Sequence, residues 1–472
     1  QLGKLADVLQ QYVRDESFTY IRKARVFQLL ADLNGQDEYL VPSLSWEGAN
    51  LEREKYQSQV YENIGFEMFK ELSALPSLTL TDEQINLIDG LGSKELIVEV
   101  SGRIDLQHNL SSDTPVYEKA HYPREVLNFA VRLKDFRGKP VPAFRIVLCT
   151  PPIKVGEQPH ISIRGVLYDI LQSDDRHDNY RIISEFSEKY CSQEDILKEC
   201  REYVRYPIEA LKIIGLIPDD GRSLEIVLMS FGYHIEIRME TLLPPKSGLG
   251  GSVTLAAALI YGLLHITGRA EQYSMKHIAL FASLLEMRIG TLGGWQDGFL
   301  TGGLRYLNIP KGAPCVELND QINHYLLNEQ DRQKVLGLLE DYIVLYYTGG
   351  EHSAADSLEL VFKGYLRRDS HHMEVFKTGI EDLTSSKEVL RRLVTSDEGI
   401  HDLAVLAQRA AEQEDSVTGH LIISQEMKEI FSHPGLKGLI RSFKPMGAGG
   451  SGFVTIFLSD PNQRTTVEQI LK

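Results

Sequence analysis

The chain has 472 residues, 43% of them hydrophobic and 25% charged, with a formal net charge of −16. These values suit a soluble globular protein of roughly two to four domains. The acidity excludes nonspecific binding to nucleic acid or to an anionic membrane surface, although a local loop can still hold a phosphate against the overall field.

Residues 1 to about 95 read as helical: LADVLQQYVRDESFTYIRKARVFQLLADL and QSQVYENIGFEMFKELSAL space their apolar residues by three and four, and TLTDEQINLIDGL has a cap at Thr81 or Asp82. No catalytic constellation stands out there. From Lys94 the texture changes, and ELIVEV, FAVRL and FRIVL predict the start of a sheet. The charged stretch between Gln158 and Pro218 is expected to be mostly helical, an insertion or crossover. HIEIRMETLL alternates Ile235, Ile237 and Met239 with Glu236, Arg238 and Glu240, which predicts a half-exposed strand leading into the loop PPKSGLGGS.

A helix follows that loop at once. SMKHIALFASLLEMRIG predicts another helix, TLGGWQDGFLTGG a glycine-rich loop, and DYIVLYY a strand; long helices fill the span from Ser353 to Ser432. KPMGAGGSGFVTIFLSD closes the chain as a glycine loop running into a strand. The longest apolar run, Val253 to Ile266, is too short to cross a bilayer. Cys149, Cys191, Cys200 and Cys315 form no CxxC pair and no metal spacing, so reduced thiols in a cytoplasmic protein are expected. No signal peptide is recognisable at Gln1, which fits a trimmed portion of a longer chain.

In SGLGGS, glycines free the backbone amides to turn inward, and the following helix aims its N-terminal N–H groups and positive dipole end at the loop. Taken alone, this is as well read as a packing turn as a phosphate cradle, and it is not a Walker A loop. The later GAGGSG matches GxGxxG through Gly447, Gly449 and Gly452. A strand rather than a helix follows it, which rules against a dinucleotide site. Glu286 late on a helix and Asp297 in a glycine loop suit metal holding and hydroxyl activation respectively.

Taken in order, GRIDL with SDTP at 102–115, PPKSGLGGS at 244–252, GGWQD at 293–297 and GAGGSGF at 447–453 resemble the GHMP-type small-molecule kinases, and within them the L-fucokinase branch. The resemblance implies an α+β, two-lobe fold: a ribosomal-protein-S5-like lobe over 96–312 and a ferredoxin-like lobe over 313–472, after a helical extension over 1–95. It implies an ATP-dependent sugar kinase that phosphorylates the anomeric hydroxyl of L-fucose. A heptose phosphate kinase and a catalytically impaired scaffold of the same fold are the alternative readings.

By the same resemblance, Asp297 would activate the sugar hydroxyl and Arg103 would neutralise developing charge. Lys246, Ser247, Gly248, Leu249, Gly250, Gly251 and Ser252 would wrap ATP. Ser252 and Glu286 would hold Mg²⁺. Asp113, Gly294, Gly449 and Gly450 would meet the sugar. The implied partners are ATP and a small sugar, with no nucleic acid or membrane, together with an upstream pyrophosphorylase domain or self-association. The chain departs from the family pattern at QHNLSSDTP, where AGGWSDTP is usual, at Lys246, where glycine is usual, and at Gly251 and Val253, where hydroxyls are common.

Overall fold

The computed structural model describes residues 20–35, 95–107, 124–174, 177–197, 202–218, 222–244, 247–289, 295–299, 303–309, 319–320, 327–349, 354–447 and 449–472. Within the N-terminal segment, helix α1 spans Tyr20–Gly35, with Ala24 and Leu30 fully buried, and packs against a helix from the far end of the chain described below. The capped helix expected near Thr81, and the proposed boundary at 312/313, lie outside the described residues.

The β-rich region opens with β1 (Glu95–Val100), β2 (Gly102–Asp105) and β3 (Arg124–Val131). After the short pair β4 (Leu133–Lys134) and β5 (Pro140–Val141) come β6 (Phe144–Cys149), β7 (Ile161–Asp174) and β8 (His177–Tyr190). Residues 161–174 and 177–190 are therefore two long antiparallel strands of 14 residues each, not the helical stretch expected from the sequence. The physical reason is position. β8 is the outer strand of its sheet and wet on both faces, so its apolar residues show no alternation, and Ile182 and Ile183 stand half exposed side by side. Strand formation rests instead on β-branched and aromatic content, with Phe186 lying across Gly165 of the paired strand, where a side chain would collide. Helical structure does follow, in the short α2 (Gln193–Leu197) and in α3 (Glu202–Ile213).

Next in the chain are α4 (Leu224–Phe231), capped by the Ser223 hydroxyl, and β9 (Ile235–Thr241). β9 runs parallel to β7 and antiparallel to β6, giving a five-stranded sheet in the order β1-β6-β9-β7-β8. Helix α5 (Gly251–Ile266) is the long apolar run, and it is buried nearly all round because β1 and β6 cover one side and α3 and α6 (Met275–Ile289) the other. β10 (Leu304–Ile309) and β11 (Asn319–Asp320) complete a second sheet in the order β11-β10-β3-β2.

The C-terminal part contributes α7 (Glu329–Tyr342), β12 (Ile343–Tyr347), α8 (Ala354–Arg367), α9 (Ser370–Leu393), α10 (Gly399–Val417) and α11 (Gln425–Phe431). It ends with β13 (Ile440–Pro445), β14 (Phe453–Leu458) and α12 (Arg464–Leu471). Its sheet is β12-β14-β13, with every residue of β14 buried, and α8 is the helix that α1 meets. A buried polar tie joins this part to the second sheet. The Tyr306 hydroxyl donates to Glu125 at 2.6 Å, and the Lys387 ammonium donates to the same carboxylate at 3.0 Å while lying over the Tyr306 ring. Burial, then Glu125, pushes the Tyr306 phenol far above its ordinary pKa, so it stays a donor.

Candidate active site

The loop ahead of α5 is stitched to both halves of the molecule. On one side the Arg103 N–H on β2 donates to the Leu249 carbonyl at 3.0 Å; on the other the Phe453 N–H on β14 donates to the Ser247 carbonyl at 3.0 Å. Gly248 and Gly447 meet backbone to backbone. Both have left-handed φ (76° and 61°), and a side chain on either would drive into the other loop. The two glycine motifs, about two hundred residues apart in sequence, thus form one floor. Gly250 caps α5 with no side-chain bond, and no acidic residue stands in the first turn, which leaves the positive end of the helix open to an anion.

Directly under Gly250 lies the acid–base pair. Arg103 grips both carboxylate oxygens of Asp297, Nη2 at 2.8 Å and Nε through a shorter contact, and its Nη1 reaches Asp105. A Cβ on Gly250 would stand 2.9 Å from both Arg103 Nε and Asp297 Cγ, so only glycine lets the loop sit on this pair. Asp297 is 7% exposed and Asp105 1%. The turn holding Asp297, a short 3₁₀ segment over Trp295–Gly298, is pinned twice. The Thr254 hydroxyl of α5 donates to the Asp297 carbonyl at 3.1 Å, and Gly298 lies against Ala279 of α6 too closely for any side chain. Trp295 is fully buried, so it packs rather than lines a ligand.

A cleft opens beside the pair, lined by Ser101, Gly102, Arg103, Asn128, Ala130, Thr254, Gln296, Asp297, Phe299, Gly303 and Arg305. Of these, sequence reading had singled out Arg103 and Asp297 as side chains. Asn128 and Arg305 sit in strands with no motif around them, and only the pairing of β2, β3 and β10 brings them here, whereas Thr254 follows the first glycine loop directly in α5.

The other expected residues distribute as follows. Ser252 is exposed in the first turn of α5, and Glu286 is fully buried in α6, the helix packed on α5. One hydroxyl and one carboxylate are the sparse set Mg²⁺ accepts when phosphate oxygens and water complete its octahedron. Among the described residues no group of three or more His, Cys, Asp or Glu side chains is placed to hold a metal ion. Gly449 and Gly450 lie in the joint floor, but their amides are spent internally, on the Met446 and Ile422 carbonyls at 3.1 and 2.8 Å. They offer close approach rather than donors. Lys246, Asp113 and Gly294 lie outside the described residues.

Residues 221–303 match the family described as GHMP kinases N terminal domain. Over that span the chain carries the GHMP kinase N-terminal fold. The matched span covers α4, β9, α5, α6 and the Asp297 turn, which together carry the first glycine loop and one half of the acid–base pair. The chain is 31% identical over 231 residues, 48% of its length, to the bifunctional fucokinase/GDP-fucose pyrophosphorylase of Arabidopsis thaliana, covering 20% of that protein. It is 24% identical over 386 residues, 78% of its length, to the L-fucokinase/L-fucose-1-P guanylyltransferase of Bacteroides fragilis, covering 35% of it. The chain therefore spans about a third or less of either relative. Among solved structures, the Lin0012 protein from Listeria innocua superposes with a TM-score of 0.51 at 14% identity, over 80% of this chain and 94% of that one.

Proposed function

We propose that the chain is an ATP-dependent sugar kinase that transfers the γ-phosphoryl group to the anomeric hydroxyl of L-fucose, giving L-fucose 1-phosphate and ADP. The observation that carries this reading is the Arg103–Asp297 pair clamped under Gly250 at the uncapped start of α5. It sets a carboxylate and a guanidinium beside a ready phosphate site. The fucokinase names of the two relatives supply the choice of sugar.

Phosphoryl transfer asks the protein mainly for alignment and charge neutralisation. The amides and dipole of α5 take the phosphates, with Lys246 to Ser252 wrapping them. Each Asp297 oxygen keeps a second lone pair beyond its bond to Arg103, so it can accept the hydroxyl proton as the new P–O bond forms and ADP leaves. Arg103, already placed on Asp297, then faces the developing negative charge. Ser252 and Glu286 are the donors for Mg²⁺, which would supply charge neutralisation on the phosphates when bound. Asp113, Gly294, Gly449 and Gly450 complete the sugar side.

The lobes are taken as 96–312 and 313–472, after an extension over 1–95. A pyrophosphorylase partner domain is proposed from the relatives' second activity, and a reducing cytoplasmic setting from the free thiols of Cys149 and Cys191. The deciding assay incubates the chain with Mg-ATP and L-fucose and identifies the product by ³¹P NMR. Formation of fucose 1-phosphate supports the reading. Turnover of heptose 7-phosphate without turnover of fucose moves it to the rival sugar, and ATP binding without any product removes it.

A further inference from the structure

One face of the second sheet is the floor of the cleft, and its cross-strand register sorts the side chains. Asp105 on β2 stands opposite Asn128 on β3, and Asn128 stands opposite Arg305 on β10. Residues directly opposite, and residues two apart on one strand, share a face. Arg103, Asp105, Asn128, Ala130 and Arg305 therefore form one polar face. Ile104, Leu127, Phe129, Leu304 and Tyr306 point the other way, into the core. A sheet layer this buried ordinarily turns apolar side chains to both sides. Asn128 and Arg305 are only 4% and 7% exposed, yet both line the cleft. Gln296 reaches toward Asn128 from the Asp297 turn at 3.5 Å, and the Arg305 guanidinium lies 5.7 Å from the Phe299 ring. Ala130 and Gly303, adjacent across the strands, leave room between Arg305 and the acid–base pair.

We infer that Asn128 and Arg305 are specificity-determining residues that grip the ring hydroxyls of the acceptor, and that the acceptor is an unphosphorylated sugar. The inference rests on the kinase reading above. Hydroxyls scattered around a ring call for amide and guanidinium groups at several angles, which Asn128, Arg305 and Gln296 provide. Charge points to a neutral ligand. Among the described residues of the cleft and its floor, Arg103 and Arg305 are balanced by Asp297 and Asp105, so with the helix end taken by ATP a second, dianionic phosphate would find no net side-chain charge to hold it. The Phe299 ring adds an apolar wall for the C–H side of a sugar.

The test uses the full chain with Asn128→Ala, Arg305→Met and Arg305→Lys, measuring sugar and ATP dependence separately. The expected result is an apparent KM for the sugar raised about ten- to a hundredfold in Asn128→Ala and Arg305→Met. The KM for ATP should stay unchanged, and Arg305→Lys should be partly restored. Parallel rises in both KM values, or an unchanged sugar KM, overturns the inference. The wild-type chain is also offered a panel of free aldoses and heptose 7-phosphate. Turnover of any free sugar upholds the substrate class even where L-fucose fails, whereas turnover of the phosphorylated sugar alone overturns it. Ligand-observed NMR of sugar binding to the same variants gives a readout independent of turnover. Binding lost on Asn128→Ala in a chain that transfers no phosphate would sink the kinase reading and leave this subsite standing, and binding unaffected by the substitutions would remove the subsite.

Discussion

At the scale of single residues, Asp297 is held more firmly than a solvent-facing base would be. Both of its oxygens meet Arg103, and its carbonyl meets Thr254. Asp297→Asn keeps the turn and removes the proton acceptor. Turnover is expected to fall by about two to four orders of magnitude while ATP affinity is retained, measured by steady-state kinetics and nucleotide titration. Turnover at the parent rate would show that Asp297 is not the proton acceptor. Gly250→Ala is expected to be worse on both counts, since its Cβ would press on Arg103 and Asp297 from a backbone with φ of 74°; ATP titration should show weakened binding as well. Gly250 and Asp297 were legible in the sequence because glycine spacing and an acidic residue within a loop leave a local trace, while Arg103 came only through the resemblance of GRIDL to a family motif. Asp105, Asn128 and Arg305 were not, because strand register is a long-range fact that no short window contains.

At the scale of elements, the second glycine loop depends on two neighbouring acids at the end of α10. Glu414, 2% exposed, pairs with the fully buried Lys444 at 3.2 Å, on the strand that enters the loop. Asp415 accepts from the Ile422 and Ile423 amides at 3.0 and 2.9 Å and lies 2.9 Å from His420 Nδ1. It thereby fixes a turn in which His420 holds a left-handed φ of 63° and whose Ile422 carbonyl receives the Gly450 N–H. Asp415→Ala should destabilise by about 1–3 kcal/mol, read by urea denaturation, and should raise the KM for ATP through the shared floor. Glu414→Leu leaves a buried ammonium without its carboxylate and should cost about 3–5 kcal/mol, whereas the double change with Lys444→Met should recover most of that loss. Equal losses in the single and double variants would show that the pair is not the source. The strand pair 161–174 and 177–190 teaches the complementary lesson about legibility: a strand wet on both faces writes no period into its sequence.

At the scale of the whole molecule, stability should respond to mild acid through a histidine pair, His234 buried and His160 partly so, at the start of the neighbouring strands β7 and β9. His160 stacks on His234 with ring centroids 4.0 Å apart, and the His234 Nε2 faces Glu157 at 3.4 Å, with Lys189 and Glu236 nearby. Burial, then the charge of His234 and of Lys189, holds His160 below the ordinary histidine pKa, with Glu236 opposing. A depressed histidine pKa means that the unfolded chain binds the proton more readily. Stability is therefore complete above the ordinary histidine range and declines as the pH falls through it. Melting temperatures between about pH 7.5 and 5.5 should fall more steeply in the wild type than in His160→Phe; parallel slopes would mean that His160 is not the titrating group.

The contact between Gly248 and Gly447 bears on how such a protein can be recombined. Nothing but main chain meets there, so no change of side chain can refit one loop to a partner of different curvature. A chimera that takes residues 221–303 from this chain and the last glycine loop from a relative would join two surfaces never matched to each other. Hybrids in which both loops come from the same parent should fold and bind nucleotide. Hybrids that split them should lose nucleotide binding first, even where every residue that touches the sugar is kept.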